Sequence, residues 1–407
     1  TGRKNNMRII INECKKILDI RIILLLCMFS ILYYMTFTQI YLYPTGGQVT
    51  NTKYDIPFTA ELVKEWGPKW KVKDEKQYQE KHQELERGFA KIIKQDQELS
   101  KRGIVDYEIF NKKYEELGQK TTLSKQEKEL GKILENYVFY NDKTSKIFLD
   151  IQALEHIREF QGSEYGVSDK KYKELKADGF FDGTKLYQKA IEKRVKRDYI
   201  SLVHEGVFYI LQEDMVTIGG LIMICFFALI IPYQLKQRLR QVIPILATTK
   251  TGRRIYQIQL IASALVALFV GILQMAVYGI IWHLKGLSVF WRCESWGIAS
   301  NSYWCDKLSF GTYMLLYMAL ILLFAIASIV IIDFIGRTIG NYMGAVAVSI
   351  PVCGVIMFLM RKIYYMLFLI TNDQVLAYWE LYALATWLIV MLLFYKIRSK
   401  RWKKVDL

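Results

Sequence analysis

Residues 241–254 read QVIPILATTKTGRR, and they separate two long apolar runs, 215–233 and 255–283. Two apolar pairs flank Pro244. Two hydroxyl side chains follow, and then Lys-Thr-Gly-Arg-Arg. A basic loop between hydrophobic spans faces the cytoplasm, so this stretch orients what surrounds it. Apolar runs long enough for a bilayer, about 20 residues each, occur at 20–42, 215–233, 255–283, 310–334, 339–359 and 381–395. The last is the shortest, and an earlier start near Val375 fits it as well. The chain reads as an all-α polytopic membrane protein with six transmembrane helices.

Charge is confined to blocks. Residues 44–214 hold 31 basic and 31 acidic side chains, so the whole net charge of +16 lies elsewhere. It falls in the N-terminal arm, in 236–254 and in the tail 396–404. Six spans put those three places on one side, and the positive-inside rule makes that side cytoplasmic, with both termini. The balanced block 43–214 is then extracellular. A basic chain raises the question of nucleic acid, but here the positive charge borders membrane spans, and no nucleic-acid partner is expected.

From Met7 the arm runs MRIIINECKKILDIR. Ile10, Cys14, Ile17 and Leu18 share one helical face, while Arg8, Lys15, Lys16 and Arg21 lie elsewhere. Residues 7–19 therefore suit an amphipathic helix in the interface plane, its bases meeting anionic membrane lipid. An ordinary basic flank of a first span fits the same residues.

The external block has helical periodicity. In 71–102, Tyr78, His82, Leu85, Phe89, Ile92 and Leu99 recur at three- and four-residue steps, which predicts one helix ended by Gly103. Further helices are expected at 106–117 and at 123–140, the latter opened by the capping box Ser124–Glu127, and at 143–160. Another starts at Thr184 and could join the second span without a break. β-branched alternation is sparse, so a large helical extracellular domain is expected between the first and second spans, big enough for its own core.

Enzymatic signatures are missing. No phosphate loop occurs, and GFFDGTK at 179–185 has the wrong spacing. Neither His-Glu-x-x-His nor Gly-x-Ser-x-Gly appears. His82, His156 and His204 are scattered, without metal-ligand spacing, and His204–Glu205 lacks a second His. No catalytic residue, metal or cofactor is assigned to this chain. Cys293 and Cys305 lie in the loop between the third and fourth spans, beside Trp291, Trp296 and Trp304. They form a possible disulfide, with two free thiols as the alternative. Within the spans, Asp333 and Arg337 form a local ion pair or a gate. Gln274 can bond a neighbouring helix, and Pro351 can kink the fifth span. Tyr33, Tyr34, Phe226 and Phe227 line an apolar route or simply pack.

Residues 241–254 resemble the coupling-helix region of ABC-2 type transporter permeases. Glu13, Lys15 and Lys16 resemble the Glu-x-Lys-Lys arm of the same family, and the six-span plan agrees with both. The resemblance implies the permease subunit of an ATP-driven exporter. Two copies, or two related permeases, would face each other. Cytosolic ABC ATPase subunits would dock at Ile243, Pro244, Leu246, Thr248, Thr249, Lys250, Gly252, Arg253 and Arg254, and ATP and magnesium would sit on those partners. Gln234 and Gln237 stand where family members often carry Glu, and block 43–214 lies outside the family's common core. An amphipathic peptide, lipid-like or antimicrobial compound is the expected cargo. Composition rich in Ile, Lys and Tyr suits a bacterial plasma membrane. The alternative is a non-transporting receptor or mechanotransmitter whose extracellular domain signals through a cytosolic ATPase.

Overall fold

The computed structural model describes residues 2–42, 52–71, 74–163, 173, 176, 177, 179, 182–195, 199–240, 255–295, 307–371 and 373–404. It is mostly helical. Among the described residues, six helices are long and apolar enough to cross a membrane: Ile20–Phe37, Gly206–Leu239, Ile255–Leu284, Phe310–Thr338, Tyr342–Tyr364 and Trp379–Lys400.

An arm helix α1 (Gly2–Ile17) precedes α2 (Ile20–Phe37), whose N-cap Asp19 accepts from the Arg21 amide. The short α3 (Gln39–Leu42) follows. Helices α4 (Thr52–Trp66), α5 (Glu75–Ile93), α6 (Gln97–Lys101), α7 (Tyr107–Gln119), α8 (Lys125–Glu135), α9 (Asp142–Ser163) and α10 (Lys185–Val195) form the domain between the first two spans. The α-helices described after the domain are α11 (Glu205–Leu239), α12 (Ile255–Leu284), α13 (Phe310–Ala327), α14 (Ile329–Thr338), α15 (Tyr342–Tyr364) and α16 (Trp379–Lys404).

Helix α11 is the axis of the bundle. Its apolar window is 78% buried, against 17% for α2 and for α16, and α2, α12, α13, α14 and α15 all pack on it. Gly219 permits this closeness, because a Cβ there would stand 2.9 Å from Ile321 Cγ2 and from Met360 Cε.

The domain has its own core. Phe89, Phe110 and Phe148 are fully buried, with ring centroids 5.2–5.9 Å apart. The capping box is formed: the Ser124 hydroxyl accepts from the Glu127 amide, and Glu127 accepts from the Ser124 amide. Two expectations are corrected. The helix expected over 71–102 is two helices, because Asp96 accepts from the amides of Glu98 and Leu99 and so starts α6. The helix from Thr184 does not run unbroken into the second span. A strand β2 (Tyr199–Ser201) intervenes, pairing antiparallel with β1 (Lys69–Lys71), with the buried Trp70 opposite the buried Ile200. His204 then caps α11, its Nδ1 accepting from the Gly206 amide at 2.9 Å. The expected fourth span is present over Phe310–Thr338, with a junction inside it at Ser328. Ser328 ends α13, its hydroxyl donating back to the Phe324 carbonyl at 2.9 Å, a bond that bends helices.

The ribbon ties the domain to the bundle. Glu294, just after the third span, accepts from Lys69 Nζ at 2.7 Å and from the Tyr199 hydroxyl at 2.9 Å. That hydrogen bond holds the Lys69 ammonium above its ordinary pKa.

Candidate functional site: a buried polar layer flanking residues 241–254

Residues 241–254 lie outside the described residues, and with them every side chain expected to dock an ATPase. Their two attachments are described. Helix α11 enters the segment through Arg238 and Leu239, and α12 leaves it through Ile255 and Tyr256. Both ends, the arm α1 and helix α14 meet in one buried polar layer.

The arm contributes Glu13. Its apolar face packs on the bundle, with Ile17 buried and the Cys14 thiol donating to the Ala262 carbonyl. Burial pushes that thiol's pKa up. Lys15 and Lys16 are exposed, but Glu13 is 3% exposed. Its carboxylate accepts from Lys16 Nζ at 2.6 Å, from the Tyr233 hydroxyl, and from Gln237 Nε2 at 3.4 Å. A buried carboxylate is tolerable only when paired and hydrogen-bonded in this way.

Helix α14 contributes the pair read from the sequence, Asp333 and Arg337. They meet at 2.8 Å, with side chains 1% and 2% exposed. The local pair expected from the sequence is formed, and it is also tied to other helices. Gln234 Nε2 donates to Asp333 Oδ1 at 2.5 Å, and Arg337 Nη2 donates to Gln259 Oε1 at 2.8 Å, so α11, α14 and α12 are joined in series. Arg337 also lies over the Tyr256 ring at 4.9 Å, and Tyr256 stacks on Tyr395 of α16. Arg238 closes the layer by donating to the carbonyls of Arg337 and Thr338 at 3.1 and 2.5 Å, which satisfies the end of α14.

From sequence alone Glu13 belongs to the interface arm and Asp333–Arg337 to a local ion pair or a gate, and nothing local joins them to Gln234, Gln237 or Gln259. The available signal was the i, i+3, i+4 placement of Gln234, Gln237 and Arg238 at the end of a long apolar helix. Chemically the layer is a buried charge network that links α1, α11, α12 and α14 through hydrogen bonds strengthened by a low dielectric.

A second polar layer crosses the bundle at the opposite end of α11. Asp214, fully buried, accepts from the amides of Gln39 and Ile40 and from the Tyr278 hydroxyl, capping the start of α3. The other polar or aromatic residues read from the spans pack in the same manner. Gln274 donates to Ser30 at 2.9 Å, Tyr33 donates to the Thr217 carbonyl, Tyr34 donates to the Gln274 carbonyl, and Phe226 and Phe227 are buried. Helix α15 runs through Pro351. Cys293 is a buried free thiol, pushed up to about 12 by burial, that donates to the Leu202 carbonyl; Cys305 lies outside the described residues.

No protein-family model, no curated protein and no solved structure matches this chain.

Proposed function

We propose that this chain is the membrane subunit of an ABC-2 type exporter, energised by separate cytosolic ATPases that dock on residues 241–254. In this reading the basic ends are cytoplasmic, the membrane is a bacterial plasma membrane, and the domain between the first two spans is extracellular. A second permease copy or a related permease completes the path, and the cargo is an amphipathic peptide, lipid-like or antimicrobial compound. The observation that carries the reading is the buried polar layer. It pins both attachments of a basic, Gly-containing segment to α1 and α14, so a push on the segment moves helix ends as one body. The chain then needs no catalytic residue of its own.

The test is co-purification in mild detergent, wild type against Arg253→Glu/Arg254→Glu, with bound proteins identified by mass. An ATPase that accompanies wild type and is lost from the folded variant is the expected result. A folded wild type that carries no ATPase, under conditions that preserve known complexes, would sink the reading. The second reading, a receptor or mechanotransmitter acting through an ATPase, draws support from the Lys69–Glu294–Tyr199 tie, which fastens the domain to the bundle. Cargo flux in proteoliposomes separates the two, since the receptor reading requires none.

A further inference from the structure

Glu380, in the first turn of α16, is 2% exposed. One carboxylate oxygen accepts from the Phe368 amide at 2.9 Å. The other, Oε2, has no hydrogen-bond partner among the described residues, and the same holds for the buried hydroxyl of Tyr364 and the indole N–H of Trp387. A buried carboxylate oxygen without a donor is costly, and polar groups left in this state inside a membrane mark sites.

The surroundings select the missing partner. Trp387 stacks on Phe324 at 4.9 Å, Phe324 meets Tyr364 edge-on at 5.8 Å, and Phe368, whose amide holds Glu380, meets Tyr378 at 5.3 Å. A carboxylate with an aromatic ring beside it, as Tyr364 is beside Glu380, is the chemistry that recognises an ammonium group. Glu380, Leu384, Trp387 and Met391 recur at helical spacing on one face of α16. Trp387 also lines a lateral cleft of about 320 Å³ between α14, α15 and α16, whose other walls, including Val352, Val355 and Leu359, are wholly apolar. Seven residues of helix place Glu380 about 10 Å from Trp387, a span an alkyl chain bridges.

The turn between α15 and α16 is strained. Met366, Phe368 and Tyr378 take φ values of 57°, 61° and 54°, in the left-handed region that side-chain-bearing residues avoid. Strain of this kind clusters at binding sites. The domain touches the same turn, where the Thr184 hydroxyl donates to the Gln374 carbonyl at 2.7 Å.

We propose that Glu380, with the ring of Tyr364, binds the ammonium head of a cationic amphiphile whose alkyl tail runs past Trp387 into the cleft between α14, α15 and α16. The site does not rest on the exporter reading, because binding needs no ATPase and no transport. The experiment uses the purified full chain in lipid nanodiscs, labelled with a decylammonium probe carrying a photoreactive diazirine in its tail and mapped by peptide mass.

Labelling should fall on α15 and α16 near Leu359 and Trp387, and unlabelled decylammonium should displace it while decyl sulfate and decanol do not. Glu380→Gln should weaken displacement about tenfold or more, as loss of a charge-assisted bond does. Leu359→Trp, which fills the cleft and leaves the carboxylate intact, should cut labelling while sparing the melting temperature. Nanodiscs with and without phosphatidylethanolamine distinguish a lipid amine from a free alkylammonium, because resident lipid would suppress labelling in the former only. Labelling spread over the lipid-facing α2 and α12, equal competition by decyl sulfate, or unchanged displacement in a folded Glu380→Gln protein would overturn the proposal. Should Glu380→Gln fail to fold, the competitor series on wild type and Leu359→Trp decides it.

Discussion

Gly336 sits where α14 crosses α11 so closely that an added Cβ would stand 2.8 Å from Gln234 Cβ and 3.5 Å from the Ile231 backbone. Neither atom is the loose end of a side chain, so the helices themselves would have to part. Gly336→Val should cost about 1–3 kcal/mol, read as a lower melting temperature, and it should also lengthen the Gln234–Asp333 bond. A melting temperature equal to wild type would mean that the crossing is looser than described. Asp333 and Arg337 make a sharper test. Removing one partner strands a buried charge and should cost about 3–5 kcal/mol, whereas replacing both with apolar residues should cost much less. A double-mutant cycle with Asp333→Leu and Arg337→Met measures the difference. Additive costs would argue that the two side chains are not a unit. Only part of this was legible beforehand. The i, i+4 spacing announced Asp333–Arg337, but Gln234 and Gln259 lie 99 and 78 positions away from their partners, and no local pattern carries a contact over that distance.

Among elements, what misled the sequence reading was periodicity that continued across a break. Phe89 and Leu99 both enter the domain core, yet the helix stops between them and restarts at Asp96. The stop signal was present as an N-cap residue followed by Glu98, hidden inside an apolar rhythm that stayed in phase. Asp96 also gives this junction a dependence on acid. The Tyr137 hydroxyl, then the amides of Leu99 and Glu98, bond its carboxylate and hold its pKa below the ordinary range. A depressed carboxylate stabilises the fold fully above the unfolded value of about 4, and this contribution is lost as pH falls through the lower folded value. Amide exchange of α6 should therefore accelerate selectively below about pH 4, and Asp96→Asn should flatten that dependence. Acid-induced exchange that rises equally in both proteins would remove Asp96 as its cause. Strand β2 was illegible for another reason: three residues give period-two alternation no room to show, and its partner lies 130 positions earlier in the chain.

At the scale of the molecule, the six spans were readable because each is a continuous apolar run, and a hydrocarbon-sized run has few other uses. What composition does not carry is how tightly the domain is fixed to them. Glu294 gathers Lys69, Tyr199 and Ser201 onto one acceptor residue, so Glu294→Gln should widen the distribution of distances between spin labels on α9 and α12. An unchanged distribution would assign the fixing to the apolar contacts of Trp70 instead. Helix α11 then has a mechanical consequence. Its 35 residues make a strut about 52 Å long, against hydrocarbon about 30 Å thick. One tip is loaded through the β-ribbon, and the other is bolted to Glu13, Asp333 and the end of α14. Tension applied to the ribbon by an antibody or a tether is carried by protein along its whole course, so the displacement reaching the basic segment should be the same in thin and in thick bilayers.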